Sequence, residues 1–580
     1  MLLLVTPMRG LWAPDEPDFA QCVREMREGG HWLLPYLNGE PYNEKPILFY
    51  WLMKGFAILC DKLTGGLGFT NGISAWSLRL PSVLSAALFV WAFRKWTARF
   101  VNGKAAEYSA IVLVTTPIWI WQAQFIQIDM LFAALLAWSW LAWLSGYLLL
   151  RGGANPTSPH ESRTWFLIAY ISLSFAFLAK GPLALVLSVA VIGAFLVWQR
   201  DWKALTQMHL AWGMAIMLLT ISPWYIAASV KGGAVYAYNM IIYQNFERAL
   251  NAWDHIQPWW RYANYILGDL FPWVLLLPHM VIFYLRNQNP DKDEKQVGPL
   301  RRFLCLATLA PVLLLSCSQS KQGKYVLMIY PFVALLLGNL LYKLCENIDQ
   351  IIKFRRISKN IGAFFAGLFV TAGLAMIAVA FFGAGGQKLH SNIAPYLGPI
   401  KLVSLALVLG ATLLARGAVK GSMANFARDI GITVGLSVLV IGTWGFRQLE
   451  PHKGYRLWTE AVKPIIAGRR VHFWLTIRSG AMIYTDNLTM HELRDAAQLE
   501  HLPAGSLLVA TMREWRTDNG GLDDNHRAMF GRLVQMPVGG GGLMLTQKMA
   551  SDGHSREWEE NRVRGGGESI APDGSARGTF

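Results

Sequence analysis

The chain has 580 residues, of which 53% are hydrophobic and 16% are charged, and its mean hydropathy is +0.31. A charged fraction so far below the quarter that soluble proteins carry excludes an ordinary soluble domain and predicts a polytopic membrane protein. The formal net charge is +16. Most Lys and Arg residues lie in short loops between apolar runs, so we expect them to set topology in a lipid bilayer, and we predict no nucleic-acid partner.

The first polar stretch, residues 11–27, reads LWAPDEPDFAQCVREMR. The apolar run of residues 1–6 before it is too short for a signal peptide or a membrane span. Within the stretch, Pro14 precedes two adjacent carboxylates, Asp15 and Glu16. Such a pair is typical of a helix start, where an acidic side chain caps free backbone N–H groups. At a lipid interface it is equally a candidate catalytic base, and both interpretations stay open here.

Residues 11–75 as a whole are expected to lie outside the membrane, beside it. The segment 31–50 contains three prolines and one glycine, so it does not form one continuous helix. Residues 46–60 are apolar but short, which favours an interfacial helix over a span.

Twelve apolar runs follow, each close to the ~20 residues that cross a bilayer. They occupy 77–97, 106–123, 128–150, 164–179, 182–199, 207–228, 263–285, 301–318, 326–344, 360–383, 396–416 and 429–446. We therefore predict a polytopic α-helical membrane protein of about 12–13 transmembrane helices. Basic loops alternate strictly with loops that are poor in Lys and Arg, which places the basic loops in the cytoplasm.

The sequence changes character after residue 446. Residues 470–477, 481–485 and 505–511 have strand patterns, and 491–499 has a helical one. Two more strand patterns follow at 532–538 and 542–547. We predict three parts: a membrane domain over 1–446, a small external α/β domain over 447–548, and a disordered tail over 549–580.

Unusual polar residues gather on the predicted external face. They are Asp15, Glu16, Tyr42, Glu44, Lys45, Arg79, Asp129, Lys180, Glu247, Arg248, His255, Arg261, Lys321, Lys324 and Tyr325. A charge at the centre of a membrane helix costs ~2.5–3.5 kcal/mol, so such residues are usually paired or functional. Each has an ordinary alternative: Lys180 can snorkel to the interface, Asp129 can cap its helix, and Arg79 can pair with Asp129. The convergence of all of them on one face favours a functional site.

The chemistry of this face fits a lipid-linked phosphosugar. Its cations, which can neutralise a phosphate, are Lys45, Lys180, Arg248 and Lys324. The carboxylates of Asp15 and Asp129 can remove a proton or position a nucleophile. The sequence has no Gly-rich nucleotide loop, so we do not expect the activated group to arrive on a nucleotide.

The sequence resembles the polyprenyl-phosphate-dependent glycosyltransferases of the GT-C type over roughly residues 10–335. Within that type it resembles the bacterial aminoarabinose transferases that act on lipid A and the protein O-mannosyltransferases. The motifs that carry the resemblance are PDEPDFA (14–20), PYNEKP (41–46), SLRLPS (77–82), QAQFIQIDM (122–130), LAKGPLAL (178–185), NFERALNAWDHIQPWWRY (245–262), FPW (271–273) and SKQGKYVLMIYP (320–331).

The resemblance implies a GT-C-like fold and assigns roles to single residues. Asp15 matches the catalytic carboxylate of the first external loop, and Asp129 matches the second acidic position. The residues expected to bind the substrate are Tyr42, Lys45, Arg79, Lys180, Arg248, Lys324 and Tyr325. Glu44 and His255 together suit a divalent cation, zinc or magnesium, although two ligands do not define a metal site.

The resemblance also implies an activity. We expect an inverting glycosyltransferase of the bacterial inner membrane that uses a polyprenyl-phosphate sugar donor at a periplasmic active site. The expected acceptor is lipid A, with 4-amino-4-deoxy-L-arabinose or a related sugar as the group transferred. The alternatives are transfer to a protein hydroxyl and, in a different class, a transporter or flippase for a polar lipid.

Overall fold

A computed structural model gives the fold of the chain, which divides into two compact units, Met1–Glu450 and Pro451–Phe580. The residues described are 9–66, 72–152, 160–247, 255–286, 290–346, 352–382, 396–420, 425–466, 469–475, 479–485, 490–515, 522–536, 538 and 542–549. The predicted tail beyond residue 549 lies outside them.

The first unit is almost entirely helical. Its elements begin with α1 (Asp15–Glu28), β1 (Tyr36–Leu37), β2 (Glu40–Pro41), α2 (Leu48–Thr64), α3 (Ala75–Phe100), α4 (Gly103–Val114), α5 (Pro117–Gln124), α6 (Ile128–Leu150), α7 (Glu161–Lys180), α8 (Leu183–Gln199), α9 (Lys203–Gln207) and α10 (Leu210–Tyr238). They continue with a π-helix (Asn239–Glu247), α11 (Arg261–Asp269), a 3₁₀ turn (Trp273–Leu276), α12 (Leu277–Arg286), α13 (Pro290–Ser316), a 3₁₀ helix (Gly323–Ile329), α14 (Tyr330–Glu346), α15 (Ile352–Phe382), α16 (Leu397–Lys420), α17 (Phe426–Val440), a π-helix (Ile441–Gly445) and α18 (Phe446–Lys453).

Within the described residues, nine helices are long and apolar enough to cross a membrane. They are Ala75–Phe100, Ile128–Leu150, Glu161–Lys180, Leu210–Asn245, Gly298–Ser316, Gly323–Leu344, Asn360–Val379, Leu397–Val419 and Phe426–Lys453. Each coincides with one of the twelve predicted runs, which confirms a polytopic helical membrane protein.

The other three predicted runs form shorter or bent helices. The run at 106–123 is divided into α4 and α5 because Pro117, which lacks an N–H donor, starts a new helix. The run at 182–199 is the 17-residue α8. The run at 263–285 bends by 106° between Arg261–Asp269 and Trp273–Leu285, with Pro272 at the break.

Between its first two helices, the first unit holds a small hairpin, β1–β2. Asn38 and Gly39 turn it with left-handed backbone angles, φ 58° and 80°, and their N–H groups donate to the Glu25 carboxylate at 2.8 and 2.9 Å. On the other side, buried Lys54 of α2 donates to the carbonyls of Met26 and His31 at 2.7 and 2.6 Å. Side chains from α1 and α2 therefore fix the hairpin and the end of α1.

The carboxylate of Glu16 is the centre of a buried ion cluster. It accepts hydrogen bonds from Arg9 at 2.6 Å and from Arg79 at 2.7 and 2.8 Å, and all three side chains are at most 1% exposed. The backbone N–H groups of Trp12 and Ile126 donate to it as well, each at 3.0 Å. Burial alone would raise the pKa of Glu16, but the charges and hydrogen bonds of Arg79 and Arg9 lower it to about 2.

Aromatic rings and a second carboxylate extend this cluster. The Arg9 guanidinium lies 3.9 Å from the ring centre of Phe125 and 5.7 Å from that of Phe446. The Trp12 indole donates to Glu450 at 2.6 Å. The start of α1 is therefore tied to α3, to the turn before α6 and to α18.

The second unit begins with α19 (Arg456–Ile466) and contains a five-stranded sheet of order β4-β3-β5-β7-β6. The strands are β3 (Val471–Trp474), β4 (His491–Leu493), β5 (Leu507–Thr511), β6 (Phe530–Met536) and β7 (Leu543–Lys548). Its other helices are α20 (Ser479–Thr485), α21 (Ala496–Glu500), α22 (Met512–Trp515) and α23 (Asp524–Ala528). Strand β3 pairs in parallel with both β4 and β5, and β7 pairs antiparallel with both β5 and β6.

Two sequence predictions in this unit are wrong. The strand predicted over 481–485 is instead part of α20, where three consecutive side chains from Ala481 to Ile483 are buried and burial does not alternate. The helix expected at 491–499 is preceded by β4, because His491–Leu493 pairs with β3. It starts only at Ala496, behind the capping side chain of Asp495.

We predict that Glu16→Gln destabilises the protein strongly, because it leaves two arginines buried without their negative partner. Breaking a buried ion pair costs about 3–5 kcal/mol. Thermal unfolding of the purified protein measures the loss. Glu107→Gln is the control, since its pair with Arg94 at 3.7 Å is more than half exposed and should matter little. Equal stability of the two variants would contradict the role of the cluster.

The same cluster predicts a pH dependence. The folded-state pKa of Glu16 lies below its ordinary value, so its stabilisation is complete above pH 4.5 and disappears as the pH falls toward 2. The difference in stability between the native protein and Glu16→Gln should therefore shrink over that range. A difference that stays constant in acid would show that the charge of Glu16 does not stabilise the fold.

Candidate active site

Asp15 lies in the first turn of α1 with its side chain 37% exposed. The Lys324 ammonium donates to its Oδ2 at 2.9 Å, and the Gln127 side-chain amide donates to the same atom at 3.1 Å. Pro14 occupies the cap position of the helix, and Asp15 makes no capping hydrogen bond there. The capping interpretation of Asp15 is therefore wrong, and this carboxylate is paired but open to solvent.

Asp129 and Lys180 form a second, more deeply buried pair. Asp129 is in the first turn of α6 and Lys180 ends α7, and their side chains are 5% and 11% exposed. The ammonium donates to the carboxylate and lies 4.5 Å from the ring centre of Tyr325. Asp129 does not cap its helix, and its partner is Lys180 rather than Arg79.

The two pairs belong to one site. Gln127, whose side chain touches both Asp15 and Lys324, stands two residues before Asp129. Lys324 and Lys45 are both close enough for their charges to act on Asp129. Three lysines therefore lie near the two carboxylates of Asp15 and Asp129. Such an arrangement can receive an anion while it holds a carboxylate for acid–base chemistry.

The neighbouring Tyr42 and Glu44 form a separate polar pair. The Tyr42 hydroxyl is hydrogen-bonded to the Glu44 carboxylate, and its backbone N–H donates to Pro35 O at 2.9 Å. Burial and the negative charge of Glu44 both raise the pKa of Tyr42. The tyrosine hydroxyl therefore stays protonated at neutral pH and donates its hydrogen to Glu44.

The remaining predicted site residues lie differently from expectation. Arg79 is fully buried and bonds to Glu16 and to the carbonyls of Arg9 and Gly10, so it positions α1 rather than meeting a substrate. Arg248 falls outside the described residues. His255 has a left-handed backbone, φ 52°, and its carbonyl accepts from the Lys321 N–H at 3.0 Å.

The metal interpretation of Glu44 and His255 receives no support from geometry. Among the described residues, no group of three or more His, Cys, Asp or Glu side chains could hold an ion. The site for zinc or magnesium stays a prediction.

Sequence reasoning did not single out two residues that the fold brings to this site. Gln127 bridges Asp15 and Lys324. It lies within the motif QAQFIQIDM, but the motif by itself does not distinguish it from the other glutamines there. Tyr262 of α11 is 1% exposed, and its hydroxyl has no partner in the part of the chain that the structure describes. It ends the motif at 245–262, and nothing in that motif separates it from the aromatic residues before it.

Comparison of the sequence with known families and proteins shows similarity to glycosyltransferases. The family model described as dolichyl-phosphate-mannose-protein mannosyltransferase matches residues 44–226. An undecaprenyl phosphate-alpha-4-amino-4-deoxy-L-arabinose arabinosyl transferase of Pseudomonas fluorescens is 27% identical over 401 residues, which cover 67% of this chain and 63% of the relative. A transferase of the same description from Pectobacterium atrosepticum is 27% identical over 415 residues, 70% and 69% of the two chains.

Solved structures resemble the whole fold. The crystal structure of ArnT from Cupriavidus metallidurans bound to undecaprenyl phosphate has a TM-score of 0.70 and 19% identity, over 96% of this chain and 97% of that one. The oligosaccharyltransferase AglB from Archaeoglobus fulgidus has a TM-score of 0.51 and 10% identity, over 92% and 72%. At these identities the match establishes the fold.

The protein is therefore a multi-pass membrane protein with the GT-C fold. The comparisons also confirm the resemblance to polyprenyl-phosphate-dependent glycosyltransferases that the motifs carry. The matched region spans 63% of the first curated relative, just under two thirds of its length.

We predict that Asp129→Asn lowers stability because it leaves the Lys180 ammonium buried without its counter-charge. The double variant Asp129→Asn/Lys180→Met should recover most of the loss, since an apolar replacement of both partners is often neutral. The loss of thermal stability is measured for these two variants and for Lys180→Met, which together form a double-mutant cycle. Additive losses in the double variant would contradict the pairing.

Proposed function

We propose that the protein is an inverting glycosyltransferase that moves a sugar from undecaprenyl phosphate to an acceptor hydroxyl or phosphate. The observation that carries the proposal is the open carboxylate of Asp15 beside Lys324, next to the buried pair of Asp129 and Lys180. One site therefore holds both a candidate base and cations for a phosphate.

In this mechanism Asp15 accepts the proton of the attacking acceptor hydroxyl. General-base catalysis of this kind accelerates a reaction by a factor of roughly 10²–10⁴. Its position supports the role, because the carboxylate is more than a third exposed, while Lys324 and Gln127 hold its Oδ2 in place. Direct displacement at the anomeric carbon breaks the bond to the phosphate oxygen and inverts the configuration.

The leaving group is a phosphate monoester, so it needs charge stabilisation more than a strong acid. Lys45, Lys180 and Lys324 supply positive charge around Asp129. The ring of Tyr325 under the Lys180 ammonium orients that cation. Arg248 joins the same group by its place in the motif at 245–262.

Lipid A is the acceptor best supported, with 4-amino-4-deoxy-L-arabinose as the sugar. The support for the sugar is the description of the two bacterial relatives, which names undecaprenyl phosphate and 4-amino-4-deoxy-L-arabinose. The support for lipid A is the resemblance of the sequence motifs to transferases that act on it. The family model names a protein mannosyltransferase, which makes a protein hydroxyl the second candidate acceptor. The GT-C fold supports transfer over the alternative of a polar-lipid transporter.

The proposed location is the bacterial inner membrane, with the active site facing the periplasm. The alternation of basic loops supports this orientation, in which Asp15, Asp129, Lys180 and Lys324 lie on the side opposite the cytoplasm. A lipid-linked donor enters such a site from the bilayer, with its phosphate at the interface.

We predict that Asp15→Asn lowers transfer at least about 100-fold, because an amide cannot accept the proton. Donor binding should remain measurable in the same preparation. The assay uses labelled lipid-linked sugar with the full chain in membranes. Asp61→Asn is the matched control, since Asp61 lies in the same external segment but pairs with Arg27 outside the site. Transfer by Asp15→Asn close to that of the control would refute the role of Asp15.

We also predict that cells with this protein carry lipid A bearing an added amino-pentose, absent when Asp15→Asn replaces the native chain. Mass spectrometry of lipid A and of surface glycoproteins measures both acceptors at once. Modification of glycoproteins with unchanged lipid A would favour the protein acceptor instead. Movement of lipid in sealed vesicles without sugar transfer would favour the transporter.

A further inference from the structure

Tyr262 is buried close to the proposed phosphate site. It is the second residue of α11, a helix that lies directly against the segment bearing Lys324 and Tyr325. A Cβ added at Gly323 would come within 3.1 Å of an Asp269 carboxylate oxygen and within 3.4 Å of the Tyr265 ring. The Tyr330 hydroxyl donates to the same carboxylate at 2.9 Å. These contacts hold α11 against the segment that begins at Gly323.

The hydroxyl of Tyr262 has no hydrogen-bond partner within the described residues, although the side chain is 1% exposed. An unsatisfied buried polar group costs about 1–3 kcal/mol, so a partner is expected in the functional state. Other buried tyrosines have such partners: Tyr170 donates to Met208 O at 2.9 Å, and Tyr330 to Asp269.

The surroundings of Tyr262 indicate the nature of that partner. Tyr262 lies near enough to Tyr325 for the two side chains to influence each other electrostatically. The Lys180 ammonium lies 4.5 Å from the centre of the Tyr325 ring. The Tyr262 hydroxyl is a hydrogen-bond donor without a partner in the described part of the chain, and it lies near a tyrosine ring that has a lysine ammonium over it. These surroundings favour an anion that can accept a hydrogen bond.

Three other buried tyrosine hydroxyls lack partners in the described part of the chain, but none has this setting. Tyr50 lies near the negative charges of Glu44 and Asp18, which disfavour an anion there. Tyr225 packs against the rings of Phe177 and Trp224, and the groups that act electrostatically on Tyr225 and Tyr236 are other tyrosines. Of the four, Tyr262 is the one placed where a phosphate would be attracted.

We propose that the Tyr262 hydroxyl donates a hydrogen bond to a phosphate oxygen of the lipid-linked donor. The inference rests on the proposed function and adds a binding residue to its site. Lys180 supplies charge without strict direction, whereas a tyrosine hydroxyl fixed by burial supplies direction. Tyr262 would thereby set the orientation of the phosphate relative to the anomeric carbon.

The test measures binding of undecaprenyl phosphate to the full chain in lipid nanodiscs. Tyr262→Phe should weaken it about tenfold, the effect of one hydrogen bond to a charged group, without lowering thermal stability. Tyr236→Phe is the matched control, because it removes another buried hydroxyl without a partner from a different helix, and its binding should equal that of the native chain. In transfer assays, Tyr262→Phe should raise the KM for the donor more than it lowers kcat.

Two further probes identify what the hydroxyl contacts. Polyprenol of the same length lacks the phosphate, so it should bind more weakly than undecaprenyl phosphate. The native chain and Tyr262→Phe should bind polyprenol with equal affinity. Inorganic phosphate should displace the lipid only at millimolar concentration. Displacement at micromolar concentration would overturn the assignment to a lipid phosphate.

The remaining outcomes separate this inference from the proposed function. Equal binding of undecaprenyl phosphate by the native chain and Tyr262→Phe overturns the role of Tyr262 alone. An equal loss for polyprenol and the phosphate lipid also overturns it, since the hydroxyl would then serve the fold. Failure of the native chain to bind the lipid phosphate overturns both.

Discussion

The buried carboxylate of Glu16 fixes the start of α1 onto the helices that follow it in the chain. Two arginines and two backbone N–H groups converge on it, so its charge is compensated within a region closed to water. A carboxylate in such a place is stable only while all its partners remain, because unpaired buried charge is costly. The geometry of the proposed active site depends on this cluster, since the next residue toward the N-terminus is Asp15.

Asp15 and Glu16 are adjacent in the first turn of α1, yet Glu16 is buried and Asp15 is partly exposed. Successive side chains on an α-helix point about 100° apart, so burial of Glu16 turns Asp15 away from the cluster. Asp15 then faces Lys324 and Gln127 and keeps more than a third of its surface exposed. One carboxylate stabilises the fold, and its neighbour is left accessible to a substrate.

Much of the architecture was predictable because membrane insertion depends on local composition. Nine predicted runs became spanning helices, whereas Pro117 and Pro272 interrupted two others in ways that hydropathy averages do not register. Asp129, Lys180 and Lys324 were expected on one face, and the structure brings them together. Their pairing was not predictable: Arg79 was a plausible partner of Asp129, yet it bonds to Glu16.

The sequence by itself determined the membrane class and the positions of most helices, because a membrane helix depends on the composition of about 20 contiguous residues. It also contains the motifs that carry the family resemblance, since each motif is a short contiguous stretch. The tertiary structure decided which charges meet, since Asp15 and Lys324 are 309 positions apart and only packing sets their distance of 2.9 Å. It also decided that 491–493 forms a strand and that the Tyr262 hydroxyl is buried without a partner. Burial and hydrogen bonding depend on neighbours in space, which local sequence patterns do not specify.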